Sequence, residues 1–304
     1  MKVAVIGGSG FIGSHVVDTL LSGGHDVTVF DMMSPHRPDV RHIFLDLLDF
    51  HRVAVALAGG YDAVYLLAAM ANVDDIFKSP LESVLVNSQG VVNVLEALRR
   101  HGGRLIFSST VWVYMLTPPN EQLSARLDET ATLCLENVNH IYTASKVAAE
   151  LYIRSYQRLY GVEFTILRYG IPYGPRGRQG TVLTNFVERA LQGKPLVIRG
   201  DGKQVRNFIY VGDLAEGSVA ALQAEAKNKT FNLDGPREVT IAEVGETVSR
   251  LVGGATLQYE GERTGDFPGQ AASNERAMLE LGWTPKTDLE DGIRKYVEWR
   301  RSLR

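Results

Sequence analysis

One cysteine, Cys134, occurs in 304 residues, which excludes an internal disulfide and leaves no thiol cluster for a structural metal. The seven histidines form no paired spacing with carboxylates on a helix, so no catalytic metal is expected. Charge of one sign is also scarce. With 32 Lys and Arg against 35 Asp and Glu, the net charge is −3, and no general attraction to nucleic acid or an anionic membrane follows. Any phosphate affinity must come from a few placed groups. No apolar run reaches membrane-spanning length, and no secretory hydrophobic segment precedes the first strand at Lys2, so a cytoplasmic protein is expected. Repeats, low-complexity tracts and long linkers are absent as well. What remains is an ordinary globular composition, 45% hydrophobic and 22% charged, in a chain long enough for one large or two intimately joined domains.

Apolar runs and helical periodicity alternate along the chain. Strands are predicted at Lys2 to Ile6, Asp26 to Asp31, His42 to Leu45, Ala63 to Leu67, Arg104 to Ser109 and Glu163 to Arg168. Helices are predicted between them at Phe11 to about Ser22, near Val53 to Leu57, at Leu81 to Arg100 and at Tyr142 to Tyr160. This alternation implies an α/β fold, a Rossmann-type doubly wound parallel sheet with right-handed crossovers. After Arg168 the texture turns to Gly, Pro and Arg, with Tyr173 to Arg178 reading as a loop. Later helices are expected at Asn185 to Gln192, from Asp213, and at Ile241 to Leu251, Asn274 to Leu281 and Leu289 to Arg300. Phe208 to Val211 is expected to return toward the sheet, and Phe231 to Leu233 to add a last strand. Residues 1–168 thus form a dinucleotide-binding domain to which 207–234 return. Residues 169–206 and 235–304 form a smaller, discontinuous substrate lobe.

Gly7, Gly10 and Gly13 sit between the first strand and the first helix, where backbone N–H groups can approach a pyrophosphate and the helix dipole favours negative charge. Such glycines alone often mark only a tight turn. They gain weight because Asp31 ends the next strand 18 residues after Gly13. A carboxylate there accepts from both ribose hydroxyls and repels a 2′-phosphate, favouring NAD over NADP; Arg37 and Arg41 keep the NADP reading open.

Tyr142 and Lys146 lie four residues apart on one helix face, so the ammonium can sit near the phenol oxygen and favour its ionised form. A Tyr/Lys pair at this spacing is usually an ordinary helix start with a solvated lysine. Here Thr110, at the end of an apolar run, can orient a substrate hydroxyl beside it, and the set suits dehydrogenation of an alcohol.

With these residues in place, the chain resembles the extended short-chain dehydrogenase/reductase family, in its NAD-dependent nucleotide-sugar epimerase/dehydratase group. The resemblance runs nearly end to end. It implies NAD contacts from Gly7, Gly10, Phe11, Ile12, Gly13, Asp31, Asp46, Leu47, Leu67, Ala68, Ala69, Asn87, Ser108, Tyr142, Lys146 and Tyr169. It implies catalysis by Thr110, Tyr142 and Lys146. Arg206, in the segment Gly200 to Val211, and Arg263, with Asp266, resemble the residues that hold a nucleoside diphosphate. Gln270 falls at the position that gates sugar size. The implied activity is 4-epimerisation of a nucleotide-diphosphate sugar of the UDP-glucose/galactose type, through a transient 4-keto sugar, with uronic and N-acetyl forms open. A 4-ketoreductase stays open too. A dehydratase would need an Asp-Glu pair directly after the catalytic Thr, and a decarboxylase a Glu where Trp112 stands; Val111 and Trp112 supply neither. A catalytically silent dinucleotide-binding protein would have been signalled by loss of Thr110, Tyr142 or Lys146. Further departures are Ile171, where the family usually has Asn, Met115, where glycine is usual, and a long segment from Met115 to Ile141. The apolar residues around helices Leu81 to Arg100 and Tyr142 to Tyr160 exceed what one sheet face covers, so a homodimer paired through these helices is expected.

Overall fold

The computed structural model describes residues 1–118, 127–138, 140–261 and 271–303. Six strands follow the predicted alternation: Lys2–Ile6 (β1), Asp26–Asp31 (β2), Arg41–Phe44 (β3), Ala63–Leu66 (β4), Arg104–Thr110 (β5) and Phe164–Tyr169 (β6). Ile171–Tyr173 (β7), Leu196–Arg199 (β8) and Val205–Tyr210 (β9) come next, and Lys229–Leu233 (β10) returns to the first sheet. That sheet has seven parallel strands in the order β10-β6-β5-β4-β1-β2-β3. The order reverses at β1, between β4 and β2. In open sheets of this kind the crevice beyond the carboxyl ends at such a reversal is where ligands sit.

Strands β4, β5 and β6 are buried along their whole length, as a parallel sheet covered on both faces requires. One face packs on the helices Phe11–Ser22 (α1) and Val211–Ala220, around Val16, Leu20, Leu214 and Phe231. Phe50–Leu57 (α2), Gly90–His101 and Ile141–Tyr160 cover the other, around Val53, Leu95, Phe107 and Ile153. Each such fully buried side chain contributes roughly 1.5–3 kcal/mol. A third cluster centred on Phe186, Ile198 and Tyr296 holds the second lobe together.

The expected single helix Leu81 to Arg100 is broken. Pro80–Val84 (α4) leads into a π turn, Leu85–Gln89, and only then into Gly90–His101 (α5); a further helix, Val73–Lys78 (α3), precedes it. The extra residue of a π turn rotates the following side chains, and here it brings polar Asn87 into the interior. Gly90 follows in close contact with Leu47, whose side chain would lie 3.2 Å from a Cβ there. Beyond Ile141–Tyr160 (α6), the second lobe carries Val182–Leu191 (α7), Ile241–Val252 (α9) and Leu289–Ser302 (α11); Val211–Ala220 (α8) and Glu275–Leu281 (α10) lie against the first domain.

The second lobe also has strands that periodicity did not reveal. Phe208 to Val211 does not reach the central sheet: β9 pairs with β7 and with Glu238–Thr240 (β11) in a three-stranded sheet, while Leu257–Glu260 (β12) pairs with β8. Of the segment 207–234, β9 therefore lies in the small sheet, and α8 and β10 lie on the large one. A four-residue apolar run carries no information about which sheet it joins.

Candidate active site

The glycine loop meets the next strand end at very close range. Gly7 adopts φ +88°, and a Cβ there would lie 2.4 Å from the backbone N of Ala68. A Cβ at Gly13 would fall 2.0 Å from the Gly7 carbonyl oxygen. Only glycine lets the loop, α1 and the segment Leu67–Ala69 converge in this way. Helix α1 starts at Gly10 without a side-chain cap and with no acid in its first turn, so its leading N–H groups are presented to an anion. Phe11 stands edge-on to His15, whereas the Ile12 side chain packs into the core, leaving its main chain for any ligand contact.

Asp31 closes this cradle. Its carboxylate accepts from Ser9 N and Met33 N, both at 3.0 Å, which leaves lone pairs for further donors. Arg37 is committed to Asp39 at 2.6 Å, so its charge is compensated. Asp46 caps its own turn by accepting from Leu48 N, and Leu47 is buried in the core with its carbonyl accepting from Asn93. The residues fit a dinucleotide: a cradle closed to Cβ atoms, an uncapped helix start and a carboxylate at the second strand end.

Thr110 is the last residue of β5, one position beyond the predicted strand end, and its Oγ1 accepts from Trp112 N at 3.2 Å. Tyr142 opens α6, whose cap is His140, with Nδ1 accepting from Tyr142 N at 3.1 Å. Burial pushes the Tyr142 phenol up to about 12, and the neighbouring Thr110 side chain works against that rise. Lys146 is one helical turn away, but its Nζ donates to the Ser108 carbonyl at 2.8 Å and stands 5.8 Å from the Tyr142 ring centroid. The ammonium is thus committed to a main-chain carbonyl and meets Tyr142 through its ring, with Thr110 beside the phenol. Burial brings Lys146 down to about 7, opposed by the Glu150 charge. The Ser108 hydroxyl donates to Leu66 O at 3.0 Å, tying β5 to the strand that feeds Leu67–Ala69.

Asn87 spends its amide on the Met70 backbone, accepting from Met70 N at 2.9 Å and donating to Met70 O at 2.8 Å. Its side chain therefore fixes the segment after β4. Tyr169 is turned into the core, with its hydroxyl 2.8 Å from Ser218 Oγ, so a cofactor contact would come from its main chain. Arg206 lies on β9 and donates to Val205 O at 2.7 Å. Arg263, Asp266 and Gln270 lie outside the described residues.

A buried network beneath Lys146 was not anticipated. Glu150, one turn further along α6, takes Arg168 in a two-point bond, Nε to Oε1 at 3.0 Å and Nη2 to Oε2 at 2.8 Å, and also accepts from Ser109 Oγ at 2.6 Å. Arg168 continues to the Tyr114 hydroxyl at 3.0 Å, which donates to Asn232 at 2.8 Å. The carboxylate and the burial-opposing hydrogen bonds hold the Arg168 guanidinium firmly charged. Spacing could have revealed Glu150, since Tyr142, Lys146 and Glu150 recur every fourth residue.

A profile of the NAD dependent epimerase/dehydratase family matches residues 3–234. The chain is 31% identical to a UDP-glucuronic acid decarboxylase of Xenopus tropicalis over 99% of its own length and 72% of the relative's. It is equally 31% identical to a putative UDP-glucose 4-epimerase of Methanocaldococcus jannaschii, over 99% and 98%. The crystal structure of a UDP-glucose 4-epimerase with UDP-glucose from Thermotoga maritima superposes with a TM-score of 0.91 at 30% identity, covering 100% of this chain and 99% of that one. The fold is shared across the full length. The chain belongs to the NAD dependent epimerase/dehydratase family, and its cofactor is NAD.

Proposed function

We propose that this protein is a nucleotide-sugar 4-epimerase. The observation that carries the reading is the convergence of Thr110, Tyr142 and Lys146 at the carboxyl end of β5, beside the glycine cradle at the sheet's reversal point. Gly7, Gly10, Phe11, Ile12 and Gly13 would hold the pyrophosphate of NAD, Asp31 its ribose, Asp46 and Leu47 its adenine side, and Leu67–Ala69, Asn87, Ser108, Lys146 and Tyr169 the remainder. NAD, when bound, accepts a hydride from the sugar C4 and returns it. Thr110 orients the C4 hydroxyl toward Tyr142, which takes its proton once ionised and returns it to the C4 oxygen as the hydride comes back to the other face of C4. Lys146, buried and held by Ser108 O, supplies the nearby positive charge that the ionised phenol requires. Arg206, with Arg263 and Asp266, would tether the diphosphate while the 4-keto sugar turns over, and Gln270 would meet the sugar.

Trp112 weakens the decarboxylase reading despite the relative of that name, since an indole cannot exchange a proton with the sugar. The test is incubation with catalytic NAD and no reductant, following sugar stereochemistry by NMR together with nicotinamide absorbance. Interconversion without net NADH change is expected; product formation only with stoichiometric NADH would assign a ketoreductase instead.

The reading includes a homodimer. Leu81, Val84 and Leu85 on α4 and the π turn, and Ile141, Leu151 and Tyr152 on the adjacent α6, form an exposed apolar face, while Val91, Val94 and Leu95 are used in the core. Pairing these helices across a two-fold axis buries that face. Light scattering at micromolar concentration is expected to give the dimer mass, and a monomer there would refute it.

A further inference from the structure

The ring of Tyr142 is edged by two other rings. Trp112 meets it at 6.0 Å and 88°, His140 at 6.5 Å and 82°, and these two meet each other at 5.9 Å and 87°. Phe77 of α3 extends the row, 6.1 Å from His140. The wall is built firmly. Trp112 N is held by Thr110, and its side chain packs on the cluster of Val111, Val113, Tyr114 and Leu116. His140 is pinned through Nδ1 by Tyr142 N, which leaves its ring proton on Nε2, and burial lowers its pKa so that the ring is neutral at pH 7. None of these rings has a part in the proton transfer described above.

A sugar that yields its C4 hydroxyl proton to Tyr142 brings C4 beside this wall, flanked by C3 on one edge and by C5 with C6 on the other. Inversion requires the 4-keto ring to turn over on its tether, and the two edges then exchange places. Whichever edge faces the rings first, C6 faces them in one of the two orientations. A carboxylate at C6 would exchange its water there for ring surfaces and at most the two neutral N–H donors of an indole and an imidazole, neither of them a cation, which is costly, whereas a hydroxymethyl or methyl group gives up little. We propose that Trp112, backed by His140, is the specificity-determining wall of the sugar site and selects nucleotide sugars uncharged at C6. This rests on the 4-epimerase reading, because the exchange of edges does.

The experiment compares kcat/KM and Kd for UDP-glucose and UDP-glucuronate, and for the same two sugars on dTDP, in the native protein and in Trp112→Phe, Trp112→Thr and Trp112→Lys, each checked for retained NAD binding and thermal stability. The native protein should favour the uncharged sugar by about 100-fold in kcat/KM, within the range a pocket wall can enforce. Trp112→Phe should keep the preference, and Trp112→Thr and Trp112→Lys should narrow it by at least about tenfold. An unchanged ratio in both opened variants, or native turnover of the uronate equal to that of the hexose, overturns the wall. Unchanged Kd ratios would overturn it even if an opened variant lost turnover. Should neither sugar be epimerised while both bind, the 4-epimerase reading fails, and the Kd ratios still decide whether Trp112 discriminates. Failure to bind any of the four overturns both.

Discussion

The two ends of the central sheet make opposite use of charge. At the carboxyl ends, Lys146, Glu150 and Arg168 are buried along the end of β5, Lys146 bonded to Ser108 and the Glu150–Arg168 pair to Ser109, with Thr110 next in line beside Tyr142. At the amino ends lies a pocket of about 470 Å³ lined by Tyr61, Asp62, Arg99, Arg104, Tyr160 and Glu163. Its charges are spoken for locally, Arg99 and Glu163 near water and Arg104 buried against main-chain carbonyls. Arg99 pairs with Glu96 at 2.5 Å, Lys227 pairs with Glu163, and Arg104 donates to the carbonyls of Leu222 and Gln223. An open pocket therefore stands at one end and the chemistry at the other. Desolvated charge is expensive and persists where it is fully bonded, whereas an open cleft with self-paired rim charges costs little to keep.

The sharpest way to break the contrast is at the carboxyl end. Tyr142→Phe removes the proton acceptor and leaves the cradle intact, so turnover should fall by roughly 10²- to 10⁴-fold with nucleotide-sugar affinity largely retained. Steady-state kinetics with direct binding measurements decide this; activity kept alongside a drop in thermal stability would make Tyr142 a structural residue.

Next in size is a matched pair of carboxylate removals. Glu150→Gln strips a buried Arg168 of its two-point partner and should cost about 3–5 kcal/mol. Glu96→Gln removes the partner of exposed Arg99 and Arg100 and should cost less than about 1 kcal/mol. Denaturant unfolding of both variants measures the difference, and equal losses would erase the distinction drawn between the two ends.

Lys146 adds a pH dependence. Its pKa is about 7 in the fold against 10.5 in the unfolded chain, so between those values the unfolded chain binds more protons. The contribution of Lys146 to stability therefore rises with pH across that window, by at most about 1.4 kcal/mol per unit, and the penalty is fully present below it. Lys146→Met should flatten this slope. In Glu150→Gln, loss of the charge that raises the Lys146 pKa should extend the slope to lower pH. A Lys146→Met variant with the native pH profile would show that the lysine is not buried as described.

How much of this could be read from the sequence divides along the same lines. The carboxyl end was legible where a single residue type is forced by local backbone geometry: Gly7 and Gly13 by close approach, Asp31 by its place at a strand end, Tyr142 and Lys146 by helical spacing. Partners separated along the chain were not legible. Glu150 and Arg168 meet across a helix and a strand, and Asn87 reaches Met70 only because a π turn rotates it inward, which a 3.6-residue period cannot express. The ammonium's true acceptor, the Ser108 carbonyl, is a main-chain atom and leaves no trace in side-chain patterning. In the second lobe, β7 and β11 have three residues each and β8 and β12 four, too short for alternation to register.

The smallest expected effect comes from the far end of the same helix that begins with Tyr142. Tyr160 closes α6 about 27 Å away at 1.5 Å per residue. Its ring lies 5.2 Å from that of Tyr156, with the Arg99 guanidinium 5.4 Å from its centroid, on the wall of the amino-end pocket. It is about half exposed, and both contacts are with partners that have other attachments, so Tyr160→Ser should cost about 1 kcal/mol or less. NAD affinity, nucleotide-sugar affinity and kcat should all stay within about twofold of native, because no network found among the described residues joins this pocket to Lys146. Calorimetry and the same steady-state assay used for Tyr142→Phe put the two ends of one helix on a common scale. A tenfold change in any of the three for Tyr160→Ser would mean that the amino-end pocket communicates with the chemistry, and the division of labour between the two ends of the sheet would have to be abandoned.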